Sequence, residues 1–308
     1  MRVPALMSVP NVSEGRDAAT VAAVAAAFTG AGLRLLDVHS DADHHRSVFT
    51  LAGTQPELAD GLLAGARVAT ARVDVMDPAD ASDEAVRAGQ HPHVGALDVV
   101  PIVYLDERSR GAACAAALVV ADRIGSELGV PVFLYGELTG SEPGGVRTRA
   151  YLRRGGVAAL TQRMAEARPD RLVPDFGPLR PHPGAGATLV AARPPLVAFN
   201  LQLAPPATLQ HARGIAALIR EGGAEGLPGV RAIGVALHGG VAQVSMNIER
   251  PFEVSAAAVT DAVRRHAPVS SAELVGLAPA AALEGFPPEV PMLGFDPARH
   301  IIENALGS

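Results

Sequence analysis

Lysine and tryptophan are both missing from this chain of 308 residues, and cysteine occurs once, as Cys114. Without lysine there is no P-loop, whose glycines must be followed by one, and any anionic group has to be held by arginine, histidine, backbone N–H groups or helix N-termini. That inventory favours planar, bidentate recognition of carboxylates. A single cysteine forms no internal disulfide; Cys114 lies in an alanine-rich stretch and reads as a buried, inert thiol in a reducing compartment. Positive charge is in deficit too, with a net charge of −6, so a surface that tracks nucleic acid is not expected. No uninterrupted apolar run approaches a membrane span, and the opening MRVPALMSVP lacks a signal-peptide pattern. The expected location is cytoplasmic. What is present in quantity is apolar material, 48% of residues against 19% charged, enough for one large or two medium globular cores.

The hydrophobic pattern writes the same string twice. An apolar segment Ala5 to Pro10 precedes Asp17, placed to cap a helix Ala18 to Phe28. Short β-rich runs follow at Leu33 to Val38 and Ser47 to Leu51, then a helix from Pro56 to Asp74 and a strand Leu97 to Leu105. From Leu196 the order repeats: strand to Leu203, helix Thr208 to Glu221, strands Val230 to His238 and Val241 to Ile248, helix Ser255 to His266, strand Glu273 to Leu277. Each half is a βαββαβ unit. The expected architecture is therefore α/β, of the α+β kind, with two ferredoxin-like subdomains packed around an interdomain cleft and divided as 1–176 and 177–308. Between them the sequence predicts a helix Gly111 to Leu128, a strand Val130 to Tyr135 and a helix Tyr151 to Arg168. The proline- and glycine-rich stretch Pro174 to Gly186 has no periodicity and reads as the linker.

Two short segments carry chemistry. His39-Ser-Asp41-Ala-Asp43-His44-His45 offers the residue types of a metal site, which leaves a metal-dependent hydrolase open, although a polar turn between strands uses the same residues to cap backbone groups. No HExxH pair accompanies it. The segment Gly89-Gln90-His91-Pro92-His93-Val94-Gly95-Ala96-Leu97-Asp98 is more informative, because a proline fixes the backbone beside His91 and the chain then enters a strand. An imidazole held at a strand entrance is suited to moving protons, though a histidine on a loop is also an ordinary surface residue.

Val9-Pro-Asn-Val-Ser-Glu-Gly-Arg16, His45-Arg46-Ser47-Val48, His91-Pro92 with Gly95-Ala96-Leu97-Asp98-Val99, and Leu134-Tyr135-Gly136-Glu137 resemble successive landmarks of the glutamate formiminotransferase family. Pro174-Asp-Phe-Gly-Pro178, Gly186-Ala-Thr188, Ala192-Arg193, Ala198-Phe-Asn200, Ala242-Gln-Val-Ser245 and Leu274-Val-Gly-Leu277 continue the order over nearly the whole chain. The resemblance implies transfer of a formimino group from N-formimino-L-glutamate to tetrahydrofolate, a co-substrate, in histidine degradation and one-carbon metabolism, with no metal. It implies His91 as the acid/base residue and a folate-contacting loop Gly177-Pro178-Leu179-Arg180-Pro181-His182-Pro183-Gly184-Ala185-Gly186. Arg16, Arg46 and Arg193, the arginines nearest the matched motifs, are the candidates for the substrate carboxylates. A homodimer is the expected assembly, and at this length the transferase is expected without the cyclodeaminase of bifunctional relatives. Beside His91 the family pattern is altered, with Gln90 before it and His93 after Pro92. A folate-binding paralogue without catalysis is the remaining alternative.

Overall fold

A computed structural model describes residues 6–77, 92–140, 145–165 and 171–307. The chain divides into two compact units, Met1–Pro194 and Pro195–Ser308. In the first, β1 (Leu6–Ser8), β2 (Asn11–Val12), α1 (Ala18–Gly30), β3 (Arg34–Asp41), β4 (Arg46–Gly53), α2 (Gln55–Arg72) and β5 (Leu97–Val103) form the expected βαββαβ string. Strands β1 and β2 share one place in the sheet, each antiparallel to β4 and β5, and β3 flanks β4. Pro10 interrupts them because it has no N–H to give the ladder; its carbonyl still accepts from Phe49 N–H at 3.0 Å. The order β5, β1/β2, β4, β3 is that of a ferredoxin-like unit. Asp17 caps α1 as its position predicts, accepting from Ala19 N–H at 3.0 Å.

This sheet then grows beyond the ferredoxin pattern. Helix α3 (Arg110–Leu128) leads to β6 (Val132–Leu134); two short helices, α4 (Arg149–Leu152) and α5 (Gly156–Met164), precede β7 (Thr188–Arg193). The long helix expected from Tyr151 to Arg168 is thus two short ones over the described residues, broken where Gly155 and Gly156 both take positive φ. Strand β7 lies parallel between β5 and β6. No periodicity marks a strand there, because Leu189-Val190-Ala191-Ala192 is buried on both faces and shows no alternation. Two expectations change as a result. The compact boundary falls at Pro194, not at residue 176, and Pro174 to Gly186 is no linker. Phe176 and Val132 exchange backbone hydrogen bonds, and Ala185 O accepts from Ala96 N–H at 3.0 Å, so this stretch is tied into the first unit at both ends. Cys114 on α3 is half-buried, and burial pushes its thiol up, as an inert thiol requires.

The second unit repeats the string with β8 (Val197–Leu203), α6 (Leu209–Ile219), β9 (Val230–Ala236), β10 (Ala242–Ile248), α7 (Ala256–Arg264) and β11 (Val269–Val275). Its order is β11, β8, β10, β9, again ferredoxin-like, and β12 (Met292–Leu293) adds in parallel beside β11. Phe199, Leu201, Ile219, Val244, Ile248, Val259 and Val263 fill its core. The expected α+β chain of two subdomains is what the structure contains.

Candidate functional site

Within the first unit, three sequence landmarks that lie far apart along the chain, those of Asn11, Arg46 and Pro92 to Asp98, meet at one end of the sheet. Asn11 on β2 stands opposite both Val48 and Val99, which brings it between the first residue of β4, Arg46, and the second of β5, Asp98. Asp98 is completely buried. A carboxylate there must find charge and donors. Arg46 Nη2 donates to its Oδ2 at 2.9 Å, and Arg153 Nη2 donates to the same oxygen. Arg153 Nε reaches Oδ1 at 3.4 Å, and Val94 N–H donates to Oδ1 at 3.0 Å. Arg46 also donates from Nη1 to Asn11 Oδ1 at 3.3 Å and from Nη2 to the Pro92 carbonyl at 3.5 Å. Burial works to raise the Asp98 pKa, but the charges of Arg153 and Arg46, with His93 and the Val94 N–H, together hold it below the usual carboxylate range. Burial likewise pushes Arg46 down to about 10 against the pull of Asp98, with Arg153 and Arg149 adding repulsion. Arg46 remains a cation at neutral pH.

The turn from β3 to β4 supports this cluster. His45 takes a left-handed φ of 46°, and its Nδ1 accepts from Gly15 N–H at 3.2 Å. Asp41 Oδ1 accepts from His44 N–H at 2.8 Å, Ser47 Oγ donates to Glu14 O at 2.6 Å, and Arg16 Nε donates to Ala42 O at 3.0 Å. Position 15 has to be glycine: a Cβ would overlap the Asp41 carbonyl and stand 2.5 Å from Arg46 N. Asp41 and His45 thus both accept from backbone N–H groups, those of His44 and Gly15.

The loop expected to contact folate packs behind the Pro92–Val94 turn. His182 and Gly186 exchange both backbone hydrogen bonds, at 2.8 and 3.0 Å, and His182 Nδ1 accepts from Ala185 N–H at 2.9 Å. Ala187 N–H donates to Val94 O and Ala185 O accepts from Ala96, so the loop is laced to the entrance of β5. At its other end Gly177, at φ 81°, lies against Gly125 and the Val130 carbonyl. Pro178 to Pro181 span these two anchors, with Leu179 and Arg180 exposed. The contact between Gly95 and this loop leaves no room for a side chain, since a Cβ would overlap Ala187 O and come within 2.7 Å of Ala185 O. Gly95→Ala should accordingly cost about 3 kcal/mol in chemical denaturation, the upper part of the range for overpacking. Gly111→Ala, where a Cβ would meet nothing within 4 Å, should stay within about 1 kcal/mol of the parent or gain slightly.

Of the residues singled out from sequence, Arg46 stands in the cluster, and Arg16 holds the neighbouring turn. His91 lies outside the described residues, as does Gln90; Pro92, the next residue, accepts from Arg46. Arg193 does not join them. It ends β7 opposite Val103, four positions beyond Leu189 and Val99, or roughly 13 Å further along the sheet. Glu137, in the Leu134–Glu137 landmark, is also at that far end, accepting from Tyr104 Oη at 2.7 Å and Arg110 Nε at 2.9 Å. Two members of the site were not assigned a role from sequence. Asp98 carried a signal, a charge inside an otherwise apolar strand. Arg153 carried none, being one of five arginines between Gly145 and Ala165.

Comparison with known proteins extends these landmarks. Residues 5–193 match the family model for the formiminotransferase domain, N-terminal subdomain, which ends where the first compact unit does. The glutamate formimidoyltransferase of Streptococcus pyogenes serotype M1 is 35% identical over 97% of this chain and 97% of its own length. That of Thermoplasma acidophilum is 31% identical, with 89% of this chain and 88% of the relative covered. The formimidoyltransferase-cyclodeaminase of Sus scrofa is 37% identical over 89% of this chain, which spans 50% of that longer protein. With a match over more than half its length and a single-function relative aligned almost end to end, the chain belongs to the formiminotransferase family.

Proposed function

We propose that this protein is a glutamate formimidoyltransferase, which passes the formimino group of N-formimino-L-glutamate to tetrahydrofolate. The observation that carries the reading is the end-to-end similarity to a glutamate formimidoyltransferase of matching length, joined to the convergence of three of its landmarks around Asp98 and Pro92. The donor carries an amidine carbon, which N5 of the reduced pterin attacks to give a tetrahedral carbon bearing both nitrogens. Collapse breaks the bond to the glutamate nitrogen. That requires one proton to leave N5 and one to reach the departing nitrogen, and a single imidazole serves both. His91, one residue before Pro92, is the proposed relay; the loop Gly177 to Gly186 is the proposed contact for the pterin, and Arg46 the proposed holder of a substrate carboxylate. The working form is proposed to be a cytoplasmic homodimer.

No Lewis acid is needed for this chemistry. Turnover with formiminoglutamate and tetrahydrofolate is therefore expected in the purified protein and is expected to survive exhaustive treatment with chelators. Loss of activity on chelation, restored by stoichiometric zinc, would favour a metal-dependent reading of the His39 to His45 turn. Folate binding without turnover would leave only the non-catalytic paralogue.

A further inference from the structure

The described part of the site holds two guanidiniums against one carboxylate, and their arrangement is layered. Asp98 is wholly buried, whereas the side chains of Arg46 and Arg153 keep 12% and 13% of their surface accessible. The carboxylate is the floor and the two cations lie between it and solvent. Arg153 spends Nε and Nη2 on Asp98, so the fork formed by Nη1 and Nη2 has its Nη1 side unengaged among the described contacts. Arg46 gives Nη2 to Asp98 and Pro92 O and Nη1 to Asn11. A partly dehydrated surplus of positive charge with oriented donors is stabilised by a second anion, and a carboxylate matches the fork bidentately.

We propose that Arg46 and Arg153, locked in place by Asp98, form a two-arginine subsite for a substrate carboxylate, with Arg153 the specificity-determining member and Asp98 a positioning residue. The assignment rests on the transferase reading above and deepens it. Two sources present the required chemistry, the side-chain carboxylate of the formimino donor and the glutamate tail of the folate. Arg46 also reaches the Pro92 carbonyl, so the subsite adjoins the chain position of His91.

The test uses the full chain and compares wild type with Arg153→Gln and Arg153→Lys, each first shown to be folded by its thermal melt. Turnover is measured with N-formimino-L-glutamate and N-formimino-L-glutamine as donors, and with tetrahydrofolate and tetrahydropteroate as acceptors. A charge-assisted pair predicts that Arg153→Gln raises KM for the carboxylate-bearing substrate by about 10- to 100-fold while kcat changes far less. Wild type should discriminate against one neutral analogue by a similar factor, and the variant should lose that discrimination; the analogue affected names the source. Arg153→Lys should recover part of it, keeping the charge and losing the fork. Unchanged KM for both substrates, or discrimination retained in Arg153→Gln, would overturn the proposal. Calorimetric titration with N-formyl-L-glutamate and with folate separates this outcome from failure of the transferase reading. Tighter binding of either carboxylate ligand to wild type than to Arg153→Gln supports the subsite even in a protein that does not turn over, and equal binding of both ligands sinks it.

Discussion

Replacement of His91 by alanine is expected to lower kcat by roughly 100-fold or more, the contribution of one positioned proton-transfer group, while leaving affinity for tetrahydrofolate nearly unchanged. The split follows from the chemistry. As the proposed relay, the imidazole would act on the tetrahedral intermediate, where a proton passes from the incoming nitrogen to the departing one, and would add little to ground-state binding. The competing possibility is that His91 only packs the turn ahead of β5. The variant would then lose about 1 kcal/mol of stability, with activity falling only in step with the folded population. Steady-state kinetics beside a denaturation curve separates the two. His93→Ala is a useful comparison because both residues flank Pro92. His93 contributes to the field that keeps Asp98 ionised, so its removal should perturb the cluster without removing the relay. If His93→Ala costs as much kcat as His91→Ala, the assignment of one relay residue fails. Full turnover in His91→Ala would remove the mechanism.

The second large effect is structural. Asp98→Ala leaves the guanidiniums of Arg46 and Arg153 facing each other without the carboxylate they share, and it orphans the Val94 N–H that now donates to Oδ1. Removing one partner of a buried pair typically costs about 3–5 kcal/mol. For a unit of this size that corresponds to a drop in Tm of about 10 °C, measured by circular dichroism. A change below about 1 kcal/mol would mean that the arginines find solvent and that the buried pair is dispensable. The pH dependence supplies an independent reading. The folded pKa of Asp98 is depressed because its arginine neighbours outweigh burial, so the stabilisation is fully present above the ordinary aspartate value of about 4 and is lost as pH falls through the lower folded value. Asp98→Asn should therefore flatten the acid limb of the stability curve below about pH 4 relative to wild type, with the two curves parallel from pH 5 to 7.

These residues also show what a linear reading reaches. Secondary structure was legible where local propensity and burial agree: the Asp17-capped, alanine-rich helix Ala18 to Phe28 and the two βαββαβ strings survive in the structure. Strand Thr188–Arg193 was not legible, since a strand enclosed by two parallel neighbours has no polar face to mark its period. The proline-rich run Pro174 to Gly186 had the composition of a linker, yet its backbone groups pair with Val132, Val75 and Ala96, partners that local composition does not encode.

The sequence by itself determined the fold class, the family landmarks and the scarcity of cationic chemistry other than arginine, because those depend on composition and on order along the chain. It also placed Arg46 among the candidates for binding a carboxylate. Only the tertiary structure decided which of the arginines between Gly145 and Ala165 meets Asp98, 55 positions away, and that Arg193 stands at the opposite end of the sheet. Every guanidinium in that run is chemically the same. What distinguishes Arg153 is that the folded backbone carries it to a buried carboxylate, which needs cations beside it to remain charged there.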